Sequence, residues 1–209
     1  MGSFQTQIRQ TNFFGRFAET QYYENLNQTQ LILLAPHGGQ VEPNTEQIIQ
    51  LINQKVALPT GLWYTTGIVN GSLNKAFKKW HTTNKTHSVT DFSLYNTFLE
   101  STYDLAISFH VMSKEGIIIG GRSDNSVKQS LQTHLQNVYN SQQVIFGTPQ
   151  STLSGLNPTN FVNTIPSTQS IHIELSRRIS MENPWKIAEA VTNWLEKEST
   201  EPIISSKGL

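Results

Sequence analysis

The sequence predicts an α/β domain built on a mixed, mostly parallel β-sheet flanked by helices, and three observations carry the parallel core of that expectation. The run Leu31-Ile32-Leu33-Leu34-Ala35 is short, continuously apolar and partly β-branched, the pattern of a strand buried on both faces. It empties into Pro36-His37-Gly38-Gly39, after which Asn44-Thr45-Glu46 opens an amphipathic stretch with Ile48, Ile49, Leu51 and Ile52, which predicts a helix. Further strand-like runs at 61–69 and 103–111 are separated by helix-like stretches. At 209 residues the chain fits one domain with a core of its own.

The glycines after the first strand admit backbone conformations closed to other residues. His37 and Glu42 can therefore turn back toward one point above the sheet edge, where open α/β folds place their ligands. The alternative at this point is a loop histidine beside a helix-start glutamate.

Before that strand, residues 1–28 read as a loosely structured lead-in whose Phe13, Phe14, Tyr22 and Tyr23 pack on the main domain. After the first helix, Gly61 to Val69 is rich in aromatic and β-branched residues and predicts a second strand, closed by an Asn70-Gly71 turn. Leu73, Ala76, Phe77 and Trp80 recur at helical spacing beside Lys75, Lys78 and Lys79, giving a short helix with a basic outer face. Residues 81–91 are polar and aperiodic, a loop. A helix is expected over 93–101 and a strand over 103–111, which again delivers a histidine, His110, at its C-terminal end.

Two strands that end in histidine at one sheet edge, one of them followed by a glutamate, form a metal-ligand set. His, Glu and His leave the fourth position of zinc open, the arrangement of catalytic rather than structural sites. A further strand at 116–122 exits at Arg122, a helix follows over 123–140, and residues 143–146 form a short strand. The polar segment 147–166 reads as a functional loop or rim. In the last strand Ile171, Ile173 and Leu175 alternate with His172 and Glu174, so the carboxylate lies on the face opposite the aliphatic side chains. Arg177 and Arg178 follow at its exit. A helix over 185–197 then presents Ile187, Ala188, Val191, Trp194 and Leu195 to the core, and 199–209 is a tail.

Composition narrows the partners. The cysteine count is 0, so any metal must be held by His, Asp or Glu. Net charge is +0 and charged residues make up 14%, which argues against nucleic acid and anionic membranes as partners. The N-terminus shows no secretory signal pattern, and no apolar run approaches the roughly 20 residues of a membrane span. The expected location is cytoplasmic, with release by lysis if the chain is phage-encoded.

In chain order, PHGGQVE at 36–42, SFH at 108–110, IGGR at 119–122, NPTNFVN at 157–163 and IHIELS at 171–176 resemble the phage-type poly-γ-glutamate hydrolase family. The pattern of that family runs PHxGxxE, SxHG, GG, NxxNR and a closing QLELS-like strand. The resemblance covers about residues 30–180. It implies a zinc-dependent amide hydrolase with a zinc carboxypeptidase-like fold, over residues 29–198, with one Zn2+ per chain.

The resemblance makes His37, Glu42 and His110 the zinc ligands and Glu174 the catalytic carboxylate. His87, in THSVTDF at 86–92, looks like the histidine of the family's histidine-threonine segment and becomes a candidate for binding substrate or the developing oxyanion. Poly-γ-glutamate carries an α-carboxylate on every residue. Arg122, Arg177 and Arg178 are therefore candidate carboxylate clamps, since a guanidinium binds carboxylate in a bidentate fork.

The chain departs from the family pattern at Val111, where glycine is common, at Thr164, where arginine often follows NxxN, and at His172, where glutamine is frequent. These departures leave two other activities open. One is a zinc amidohydrolase acting on other γ-glutamyl or N-acyl amino acid amides, such as peptidoglycan peptides. The other is a non-catalytic protein that binds the polymer.

Overall fold

In the computed structural model, β3 (Leu31–Gly39) is a central strand of an eight-stranded mixed sheet. The structure describes residues 2–12, 15–81, 91–140 and 143–200. The other strands are β1 (Ser3–Asn12), β2 (Gly15–Tyr23), β4 (Thr60–Val69), β5 (Tyr103–Met112), β6 (Ile117–Gly120), β7 (Val144–Phe146) and β8 (Ser167–Ser176). Their order across the sheet is β1-β2-β4-β3-β5-β8-β6-β7. The pairings β4-β3, β3-β5, β5-β8 and β6-β7 are parallel; β1-β2, β2-β4 and β8-β6 are antiparallel.

The continuous apolar run of β3 exists because both faces of the sheet are covered. Leu31, Leu33 and Ala35 face one core, made with Ile48, Ile49 and Ile52 of α1 (Thr45–Lys55) and with Val191, Trp194 and Leu195 of α7 (Pro184–Thr200). Ile32 and Leu34 face a second, aromatic core of Trp63, Trp80, Phe92, Tyr95, Phe98 and Phe161. Strand β5 alternates in the same way, with Leu105, Ile107 and Phe109 in the first core and Ala106 in the second. The remaining helices are α2 (Leu73–Trp80), α3 (Ser93–Asn96), α4 (Asn125–Gln136), α5 (Phe161–Thr164) and α6 (Arg177–Glu182).

Several boundaries differ from the sequence expectation. The 93–101 segment is one α-turn followed by a 3-10 turn over Thr97–Glu100. The polar 147–166 segment holds α5, and the strand exit after β8 is itself the helix α6, capped by Ser176 Oγ, which accepts from the Ile179 N–H at 3.3 Å. Helix α7 runs on through Thr200, beyond the expected end; residues 201–209 of the expected tail lie outside the described residues.

The largest difference is at the N-terminus. The expected loose lead-in is a β-hairpin, β1-β2, that extends the sheet antiparallel to β4. Its composition, rich in Gln and Thr, hides the strands, because much of its surface faces solvent and needs no aliphatic side chains. Tyr22 packs on the first core and Tyr23 on the second, while Phe13 and Phe14 lie outside the described residues.

The hairpin is pinned by a buried carboxylate. Glu19 is fully buried, and its Oε1 accepts from Trp63 Nε1 at 2.9 Å and from the Tyr95 N–H at 2.8 Å. Arg9 on β1 lies 3.6 Å from its Oε2 and over the Phe92 ring. Replacing Glu19 by Ala strands two buried donors, each at about 1–3 kcal/mol. We expect Glu19→Ala to lower the unfolding free energy by about 2–6 kcal/mol on that basis, whereas Glu19→Gln, which keeps the acceptor, loses less. Urea denaturation measures both, and equal midpoints for Glu19→Ala and the parent chain would show that this carboxylate does not anchor the hairpin.

Candidate functional site

The parallel pairing of β3, β5 and β8 sets their C-terminal ends side by side, and each end carries the residues the sequence singled out. Leu34 is in register with Ser108, Ser108 with His172, and His110 with Glu174. The end of β3 turns back sharply. Gly39 has φ +73°, a conformation that glycine accepts readily. Its N–H donates to Glu46 Oε1 at 2.9 Å, and the Glu42 N–H donates to the His37 carbonyl at 2.7 Å, closing a loop that returns Glu42 to His37. Thr45 Oγ1 donates to the Glu42 carbonyl, tying that loop to the first turn of α1.

The result is a tight buried trio. Glu42 Oε1 is 3.0 Å from His37 Nδ1, and Glu42 Oε2 is 3.3 Å from His110 Nδ1. One nitrogen or oxygen from each of His37, Glu42 and His110 can be chosen so that all three lie within 4.8 Å of one another. Burial pushes the Glu42 carboxyl up, but the attraction of His37 and His110 overrides it and holds the group well below its ordinary value. Burial pushes the His37 imidazole down against the opposing pull of Glu42, which favours the neutral form that offers a lone pair. For His110, burial acts downward, and the negative charges of Glu42 and Glu174 outweigh it and raise the group.

Among the described residues His110 Nε2 is buried with no hydrogen-bond partner, and Glu42 Oε2 has only its 3.3 Å ion pair with His110 Nδ1. Such groups cost about 1–3 kcal/mol each, more when charged, and a cation held by two imidazoles and a carboxylate satisfies them. The donor set therefore fits a metal ion.

Glu174 is buried beside the trio, and its Oε1 lies 3.0 Å from His172 Nε2. His37, Glu42, His110 and Glu174 all line one cleft of about 1050 Å³. Of the three predicted arginines only Arg177 lines it. Arg178, the next residue on α6, is turned away by the helical step and pairs with Glu115 at 3.3 Å and Glu182 at 3.5 Å. Arg122 is exposed and does not line the cleft, because β6 runs antiparallel to β8 and carries its exit toward the opposite sheet edge. His87 lies outside the described residues.

Two histidines at the site escaped the sequence reading of ligands. His81, the residue after α2, has its Nε2 3.5 Å from Glu42 Oε1, and its ring lies 4.3 Å from that of His37 and 4.2 Å from that of Phe77. The signal was present in the helical spacing of Phe77 and Trp80, which carries the next residue toward the same edge; the polar stretch that follows masked it. Lys114 also lines the cleft. His172 sits between Ser108 and Glu174, as the strand alternation implied. Of the departures from the family pattern, Val111 and His172 line the cleft. Thr164 does not, since it bonds the Tyr95 hydroxyl at 2.6 Å, whereas Asn157, Asn160 and Phe161 do line the cleft.

The fold is shared with solved hydrolases. A bacteriophage poly-gamma-glutamate hydrolase superposes with a TM-score of 0.63 at 16% identity, covering 94% of this chain and 90% of the other. The zinc-free form of YndL gives 0.65 at 17% identity, covering 93% and 90%. A metallo-carboxypeptidase from Pseudomonas aeruginosa gives 0.53 at 11% identity, covering 91% and 62%. Curated proteins give no match. The model of the poly-gamma-glutamate hydrolase family matches residues 17–182, so the match takes in most of the β2 strand as well as every residue of the cleft trio and Glu174, and the chain belongs to that family.

Proposed function

We propose that the protein is a zinc-dependent hydrolase that cuts the γ-glutamyl amide bonds of poly-γ-glutamate, with His37, Glu42 and His110 as zinc ligands and Glu174 as general base. The observation that carries this reading is the buried His-Glu-His trio, in which His110 Nε2 has no hydrogen-bond partner among the described residues, next to a carboxylate in the same cleft. The chemistry that zinc supplies when bound is Lewis acidity, which acidifies water and polarises the scissile carbonyl.

The chain's own residues supply the rest. Glu174 comes from β8, directly across from His110 on β5, which supports its role of taking the proton of the attacking water and returning it to the leaving amine. Arg177 is the candidate clamp for a substrate α-carboxylate, with Lys114 as a second cation lining the cleft. His81, beside the ligand trio, is a candidate hydrogen-bond donor to the developing oxyanion, alongside His87, for which the family resemblance implies a part in binding substrate or the oxyanion.

The purified protein should carry about one zinc per chain, lost together with activity on chelation. His37→Ala and His110→Ala should each lower the metal content sharply, and full zinc occupancy in the double variant would end the assignment. Ligand and base should fail differently. Glu42→Gln is expected to lose zinc as well as rate, whereas Glu174→Gln should keep zinc and fold and lose on the order of 10² to 10⁴ in kcat; a Glu174→Gln enzyme that turns over near the parent rate is not missing its base. Among the arginines, Arg177→Ala should raise KM for the polymer, with a dependence on salt. Arg122→Ala and Arg178→Ala should stay within about twofold of the parent, as positions outside the cleft do. A KM effect at Arg122 of the same size as at Arg177 would show that the polymer is held elsewhere.

A further inference from the structure

We propose that His172 is the positioning residue of Glu174, holding one carboxylate oxygen in a fixed place through a hydrogen-bond relay that starts at Ser108. The inference rests on the reading of Glu174 as general base and goes beyond it. Ser108 Oγ lies 3.1 Å from His172 Nδ1, and His172 Nε2 lies 3.0 Å from Glu174 Oε1. All three side chains are buried, and Ser108 and His172 are direct register partners on β5 and β8.

The chemistry of the three groups orders the protons along the relay. A carboxylate only accepts, so His172 Nε2 carries the hydrogen. A serine hydroxyl can donate, and Ser108 Oγ faces the ring's other nitrogen, Nδ1. In the relay the Ser108 hydroxyl donates to Nδ1. The relay runs in one direction, from Ser108 through His172 to Glu174.

The ring is confined on two sides. Its face lies against His110, with centroids 4.5 Å apart. On another side the 147–160 segment closes over it at Gly155, where an added Cβ would stand 2.3 Å from His172 Cβ; Gly155 also has φ +66°. Glycine is required there so that the backbone can press on the histidine. A carboxylate tied at Oε1 to an immobile donor has lost its rotational freedom, and its Oε2 then stands at one place in the cleft. That is the requirement for a base that must meet a water within hydrogen-bond reach.

The test compares three variants of the full chain. His172→Leu removes the donor, His172→Gln keeps an N–H donor, and Ser108→Ala removes the start of the relay. With poly-γ-glutamate as substrate, His172→Leu should lower kcat by about 10- to 100-fold, the usual cost of losing a supporting hydrogen bond of this kind. KM and zinc content should stay within about twofold, as for an interaction made only in the transition state. His172→Gln should recover most of the loss, and Ser108→Ala should lower kcat about two- to tenfold. If His172→Gln is as impaired as His172→Leu, or if the loss falls on KM, the proposal is overturned.

A second measurement is independent of turnover and of folding of the leucine variant. Nitrogen-15 spectra of the parent protein, labelled at histidine, should show His172 protonated at Nε2 and bare at Nδ1 at neutral pH. The opposite tautomer overturns the relay whatever the activity. The expected tautomer in a chain that binds the polymer but never cuts it would instead overturn the general-base reading beneath the proposal.

Discussion

The site depends on one constraint: a glutamate side chain has been taken out of water between two imidazoles. A buried carboxylate is tolerated only when opposite charge or donors surround it, and here His37 and His110 supply both, lying 3.0 and 3.3 Å from its oxygens. Neither histidine is near the other in sequence. They meet because β3 and β5 pair in parallel, so that their C-terminal ends reach the same edge at the same height. The fold thus sets the distance across the trio, and the short return loop from His37 to Glu42 sets the third corner.

The rigidity of that arrangement comes from below it. Strands β3 and β5 are held between an aliphatic core on one face and an aromatic core on the other. Close packing on both faces leaves little room for the strand ends to shift. Around the turn, the Gly39 N–H is held by Glu46, the Pro36 carbonyl accepts from Thr65 Oγ1, and Asn44 Nδ2 donates to the Ser180 carbonyl. The His37-Glu42-His110 trio is therefore attached to the most deeply packed part of the chain.

What was legible in the sequence follows the strength of the local signal. Strands β3, β5 and β8 carry strong apolar patterns because both of their faces are covered, and the residues they deliver, His37, Glu42, His110 and Glu174, were found with them. The β1-β2 hairpin was missed because an outer strand can be built from Gln and Thr and is held by one buried carboxylate whose partners, Trp63 and Tyr95, are 44 and 76 residues away. Arg122 was misplaced for a topological reason: the direction of β6 relative to β8 is not written in either strand. Arg177 and Arg178 were indistinguishable while the exit was read as coil, and became distinct once it was a helix. His81 belongs to the site through a ring contact with His37 that no spacing rule encodes.

Electrostatics at long range contribute little to recognition here. Net charge is +0, so a polyanion approaching from solvent meets no overall attracting field, and beyond about 8–10 Å at physiological salt individual charges are screened. Attraction has to be local. Arg177 and Lys114 line the cleft, and α2, which contributes Asn74 and Phe77 to the same cleft, carries Lys75 and Lys78 on its exposed side. On the proposed function, a chain with one carboxylate per residue that is seated on the trio and leaves the cleft along α2 passes these exposed lysines. A short neutral amide would gain nothing from those lysines. On the proposed function, the basic face of α2, which by itself reads as an ordinary solvated surface, becomes the feature that separates a polymer from a small substrate.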